Sequence, residues 1–111
     1  MTRFKPVPKS PNAVSSRADA ADRQHFIERL PAVTKERLKE VVLAMPRTKV
    51  LAEEDDYLHV QFTTALMRYR DDVEFEFEAD GVHVRSASRV GYSDMGANRK
   101  RVEVIRTALR G

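Results

Sequence analysis

The chain predicts an α+β two-layer sandwich, a four-stranded, mainly antiparallel sheet with one helix before it and one after it on the same face. Three patterns carry that expectation. Leu38, Val41, Val42 and Met45 fall at helical spacing, Tyr57–Phe62 and Val73–Val84 alternate apolar and polar residues, and Val102, Ile105 and Leu109 form a second helical stripe. The 111 residues suffice for one core. We therefore expect a single domain over 1–111, with an extended arm at 1–32 and an α-β-β-β-β-α core at 33–111.

The arm holds four of the five prolines and shows no sustained period of 2 or 3.6 residues. It reads as extended, with at most a helical turn near Arg17–Gln24, and Phe26, Ile27 and Leu30 are its anchors to the core. A helix follows, with Thr34 as N-cap and Pro46 as its stop. Lys35, Glu36, Lys39 and Glu40 lie on the side away from its apolar face.

Thr48–Glu53 forms the first core strand and Glu54-Asp55-Asp56 a polar turn. That turn lacks the ligand spacing and central glycine of a calcium loop. In the next strand Leu58, Val60 and Phe62 share one face, and Tyr57, His59 and Gln61 the other. Residues 63–70 either extend this strand or bend away from it.

The hairpin signal is strongest over Asp72–Arg89, where Val73, Phe75 and Phe77 alternate with Glu74, Glu76 and Glu78. Asp80-Gly81 reads as a two-residue turn. Its register sets Glu78 opposite His83, Glu76 opposite Arg85 and Asp72 opposite Arg89, and places Ser86 and Ser88 on the inner face opposite Phe75 and Val73. The opposite face, with Tyr57, His59, Glu74, Glu76, His83 and Arg85, is expected to be open.

In the final helix Asn98 precedes Val102 by four residues, so it points inward. Arg101 flanks the apolar stripe, while Arg99 and Lys100 are expected to point outward.

Composition narrows the chemistry. The chain has no cysteine, which excludes disulfides, thiolate metal sites and thiol nucleophiles. His25, His59 and His83 show no metal-ligand spacing, and no cofactor motif is present. The basic N-terminus lacks a following apolar run and no segment reaches ~20 apolar residues, so a cytoplasmic protein without a membrane span is expected. The net charge of +3 is uneven: residues 85–111 hold seven Lys or Arg against two acids.

The candidate working part is the strand-to-helix junction at 85–101. Ser86, Ser88, Arg89, Tyr92, Ser93, Asn98 and Arg101 place hydroxyls, an amide and guanidiniums beside a helix N-terminus preceded by Gly91 and Gly96. Such a set suits a small anionic or polar ligand in a non-catalytic binding or interaction module. It equally suits a network that holds loop to sheet. A hydrolase or transferase using Tyr92, Ser93 or Asp94 is the enzymatic alternative, although Asp94 is also placed to cap the helix. Nucleic-acid binding through the basic helix is the weakest alternative, because only Tyr92 offers a stacking aromatic nearby. Oligomeric state is not legible.

Two long runs, Arg85-Ser86-Ala87-Ser88-Arg89-Val90-Gly91-Tyr92-Ser93-Asp94 and Asn98-Arg99-Lys100-Arg101-Val102, closely resemble the bacterial and plastid family known as domain of unknown function 1499. Ser10-Pro11-Asn12 with Val14-Ser15-Ser16, Asp71-Asp72-Val73-Glu74-Phe75, Leu38, Pro46-Arg47-Thr48 and Asp55-Asp56-Tyr57-Leu58 agree with it, so the resemblance covers nearly the whole chain. It implies no established activity. Some members look like envelope or lipoprotein-type proteins. The family's Ser-Pro-Asn-Cys-Val-Ser-Ser motif has Ala13 in place of cysteine here, which removes any thiol chemistry. The pattern also implies a second half of the site, in which Ser10, Asn12, Ser15 and Ser16 of the arm close a polar cleft near Ser88 and Asn98.

Overall fold

Thr34 starts the first helix, α1 (Lys35–Leu43), its side chain accepting from the Arg37 amide at 3.1 Å. Leu38, Val41 and Val42 are the face it buries. The second helix, α2 (Ala97–Leu109), buries Asn98, Val102 and Ile105. Both pack on one face of an antiparallel sheet in the computed structural model, which describes residues 2–111.

The sheet has five strands, not four. β1 (Ala13–Ser15), β2 (Thr48–Glu54), β3 (Tyr57–Thr63), β4 (Arg70–Glu78) and β5 (Gly81–Ser88) lie in the order β1-β5-β4-β3-β2. The additional strand comes from the arm, where Ala13, Val14 and Ser15 pair with Ala87, Ser86 and Arg85. Three residues are too few to show alternation, and the partner strand is near the other end of the chain. Thr63 still extends β3 and Arg70 opens β4, and residues 64–69 between them bend away, closing through the Thr64 amide to Tyr69 O at 2.9 Å.

The β4–β5 register also differs from the expected one. Glu78 pairs with Gly81, Glu76 with His83, Glu74 with Arg85, Val73 with Ser86 and Asp71 with Ser88. The turn is therefore Ala79-Asp80, and neither residue has positive φ. Gly81 is inside the strand because Leu30 bridges Val82 from the arm, and a Cβ on Gly81 would lie 3.2 Å from Leu30 O. A shift by a whole repeat of two leaves every side chain on its expected face.

One apolar core results. Leu58, Val60, Phe62, Val73, Phe75, Val82 and Val84 of the sheet meet Leu38, Val42, Val102 and Ile105 of the helices, and Val14, Ile27 and Leu30 join from the arm. Fully burying each such side chain contributes roughly 1.5–3 kcal/mol before the entropy of ordering is subtracted.

The outer face is not open. Glu76 accepts from Thr2 Oγ1 and the Arg3 amide, each at 2.7 Å, and Arg17 Nε reaches the same carboxylate at 2.7 Å. Arg85, expected as an exposed partner of an acid, is buried and donates to Lys5 O at 2.9 Å and Pro6 O at 3.3 Å. The start of the arm covers this face because its backbone satisfies charges that the sheet presents.

Candidate functional site

β5 brings Ser86 under the first turn of α2, where Asn98 is waiting on the buried face. Ser86 Oγ donates to Asn98 Oδ1 at 2.6 Å, and both side chains are fully buried. Arg101, one turn along, donates through Nη1 to Asn98 Oδ1 at 2.8 Å and to Ser86 Oγ at 3.1 Å. Its Nη2 reaches Asp71 Oδ2 at 2.6 Å, and the guanidinium lies 5.0 Å from the Phe62 ring centroid. A charge this deep is tolerable only when paired and hydrogen-bonded, and this one is both.

The amide of Asn98 works in the other direction. Nδ2 faces Asp94 Oδ2 at 2.6 Å, Ser88 Oγ at 2.9 Å and Asn12 O at 3.0 Å. One side chain thus ties the helix to β5, to its own preceding loop and to the arm.

Asp94 caps α2 from two residues before Gly96. Its Oδ1 accepts from the Gly96 amide at 2.8 Å and its Oδ2 from the Asn98 amide at 3.1 Å. Burial pushes this carboxyl up, but the bonds from Asn98 and Gly96 outweigh it and hold it below its usual range. The Gly96 and Asn98 amides are thus engaged by this carboxylate, and the Ala97 amide by Asp94 O at 3.1 Å.

The arm reaches the same place. Asn12 O accepts from the Ser88 amide at 3.0 Å, Asn12 Nδ2 donates to Gly91 O at 2.7 Å, and Ser10 Oγ donates to Asn12 Oδ1 at 3.1 Å. Ser15 and Ser16 are placed further along, where Ser15 Oγ accepts from the Arg17 amide and Ser16 Oγ accepts from the Val84 amide.

The remaining candidates disperse. Arg89 forms a two-point pair with Asp72, both bonds at 2.9 Å, on the outer face. Tyr92 is exposed, and Ser93 Oγ accepts from the Met95 amide at 3.2 Å. Arg99, expected to point outward, instead donates to the carbonyls of Arg23, Gln24 and Phe26. Arg106 likewise holds Arg29 O and Glu28 O. These two arginines, seven apart on α2, clamp segment 23–29 from one helix face.

Beside the network lies a cleft of about 520 Å³ between the β3–β4 loop and the β5–α2 loop. Thr64, Asp71, Ser88, Ser93 and Asp94 supply polar lining, and Tyr69, Val90 and Met95 much of the apolar part. A second cleft, about 490 Å³ on the outer face, includes Arg17, Glu76 and Glu78 in its lining, which are already paired with one another. Among the described residues no group of His, Asp and Glu is gathered to hold a metal ion, and no helix is long and apolar enough to cross a membrane.

The family profile described as Protein of unknown function (DUF1499) matches residues 3–109. The chain belongs to the DUF1499 family. Neither the curated proteins nor the solved structures give a significant match.

In this DUF1499 chain the residue that sequence reasoning left out of the site is Asp71. Its signal was present, since Asp71 shares the parity of Val73 and Phe75 and so places a carboxylate on the apolar face of β4. An acid on that face requires a buried partner, which is Arg101.

Proposed function

We propose that this DUF1499 chain is a non-catalytic binding module, and that the cleft between the β3–β4 and β5–α2 loops takes a small polar ligand with a cationic or hydrogen-bond-donating head and a short apolar body. The cleft lining is the observation that supports this most. It combines the acceptors Asp71, Asp94 and Ser88 with the apolar walls Tyr69, Val90 and Met95, the ordinary make-up of a small-molecule site. The ligand charge follows from what surrounds it. Arg101 is neutralised by Asp71, and Arg89 by Asp72. No Lys or Arg lines the cleft itself, so an entering anion would meet the Asp94 carboxylate, which among the described residues has no ion-pair partner.

This reading keeps residues 85–101 as the working region and reverses the ligand charge that their arginines suggest. Within it, Ser86, Asn98 and Arg101 shape the cleft from behind, while Ser88 and Ser93 line it. An enzymatic role for Tyr92, Ser93 or Asp94 has less behind it, since Asp94 is engaged in capping and held ionised. A nucleic-acid role for α2 is also less supported, because Arg99 and Arg106 bond backbone carbonyls of the chain itself.

Amide chemical shifts during titration with n-hexylammonium, and separately with inorganic phosphate, test the reading. The amides of Ser88, Gly91 and Met95 are expected to move with the amine and to stay still with phosphate, and Tyr69→Ala is expected to weaken the response. Shifts with phosphate alone would reverse the charge assignment. Silence with both would end the proposal.

A further inference from the structure

The two loops that border the cleft carry an unusual surface. Six of the nine large apolar side chains that remain exposed among the described residues sit on them: Leu66, Met67 and Tyr69 on one, Val90, Tyr92 and Met95 on the other. Leu66 is 90 % exposed and Met95 is 95 % exposed, so these two side chains lie almost wholly in solvent. Single exposed apolar residues need no explanation, but a concentration at one end of a sheet does.

Unpaired charge is sorted along the same axis. Antiparallel pairing sends the β2–β3 and β4–β5 turns to one end of the sheet, where Glu53, Glu54, Glu78 and Asp80 are ion-paired with Lys35, Lys39, Arg3, Arg17 and Arg29 and, among the described residues, Asp55 and Asp56 are left unpaired. The opposite end, with the α1–β2 turn and the two apolar loops, carries Arg47, Arg68 and Arg70, while its Arg89 is paired with Asp72. Its one loop acid, Asp94, is folded back into the helix cap. Arg68 and Arg70 are exposed, and among the described residues neither is ion-paired.

Backbone conformation adds a third observation. Arg68 and Met95, one in each loop, have φ of 58° and 54°. That region favours glycine and asparagine, so an exposed methionine held there is locally unfavourable for the isolated chain.

From these we propose that this end of the protein docks peripherally on an anionic lipid surface. Leu66, Met67, Tyr92 and Met95 would enter the headgroup and acyl boundary, while Arg68 and Arg70 lay their stems along it and pair with lipid phosphates. The acidic turns at the far end point away from the membrane. A bilayer fits better than a folded partner because two separate apolar tips, one of them beside the unpaired Arg68 and Arg70, suit a deformable surface of uniform negative charge. The proposal shares Met95 with the ligand reading but does not rest on it, since Leu66, Met67 and Arg68 do not line the cleft.

Flotation with vesicles of phosphatidylglycerol and phosphatidylcholine, against pure phosphatidylcholine, decides it. Binding is expected only to the anionic vesicles. Leu66→Glu with Met67→Glu is expected to lower it at least ~10-fold, and Arg68→Glu at least ~5-fold, each basic group being worth about that factor near such a surface. Asp55→Asn at the far end should leave it unchanged, and unaltered circular dichroism would establish that the variants fold. The proposal is overturned if the wild type ignores anionic vesicles, or if the two apolar substitutions leave binding intact. It is equally overturned if those substitutions dissociate a dimer in sedimentation, which would make the patch a self-association surface.

Discussion

Nη2 of Arg101 lies 2.6 Å from Oδ2 of Asp71, between a strand and a helix, with the carboxylate almost wholly buried. The pair joins the start of β4 to the first turns of α2, and its guanidinium also serves Ser86 and Asn98. Removing one partner leaves the other charge without compensation. We expect Asp71→Ala to cost about 3–5 kcal/mol in urea unfolding, and Asp71→Ala with Arg101→Met to cost clearly less than the two single changes added together. Additive losses would mean that the pair is not coupled.

Asn98 is the most connected side chain of the junction. Asn98→Ala strands Ser86 and removes the bond to Asn12 O, at an expected cost of about 2–4 kcal/mol. Asn98→Asp should be worse, because a carboxylate oxygen would replace the donor that lies 2.6 Å from Asp94 Oδ2. Thermal unfolding of both variants checks the order. If Asn98→Asp is the milder change, the polarity assigned to the amide is wrong.

Arg99 and Arg106 hold the arm through five carbonyl contacts. Arg106→Ala should therefore loosen segment 23–29 before the rest of the molecule. Hydrogen exchange at the Ile27 and Leu30 amides is expected to accelerate about tenfold, with the β3 and β4 amides much less affected. Equal acceleration everywhere would indicate global destabilisation and no local clamp.

Two histidines in the arm's attachment titrate in opposite directions. His25 is buried between Asp22 Oδ2 at 2.7 Å and Ser10 O at 2.9 Å. Burial lowers its pKa, but the bonds to Ser10 and Asp22 outweigh burial and raise it above 6.5. Its contribution is complete below 6.5 and is lost as pH rises through the raised value. His83, beside Ser16 Oγ at 2.8 Å, is pushed below 6.5 by burial and then by Arg17. Its contribution is complete above 6.5 and is lost as pH falls through the lowered value. The melting temperature should thus peak near pH 6.5, His25→Gln flattening the alkaline side and His83→Gln the acid side. A wild-type curve that is flat from pH 5 to 8 would contradict this.

Local patterns determined much of this protein. Thr34, the apolar stripe from Leu38 to Met45 and Pro46 set the first helix, and alternation from Tyr57 to Phe62 set a strand and its faces. The inward placement of Ser86, Ser88 and Asn98 was legible because side-chain direction depends only on the period of the element. Even the slipped β4–β5 register left those faces unchanged, since it moved by a full repeat.

What only the tertiary structure decided is which group satisfies which. Arg85, Arg89, Arg99 and Arg101 look alike in sequence, yet they meet arm carbonyls, Asp72, further arm carbonyls and Asp71 respectively. An arginine accepts any suitably placed oxygen, so its partner depends on contacts between distant segments. The same holds for the three-residue β1, which exists only because β5 offers an unpaired edge, and for the end-to-end sorting of apolar loops and acidic turns, which antiparallel pairing alone creates.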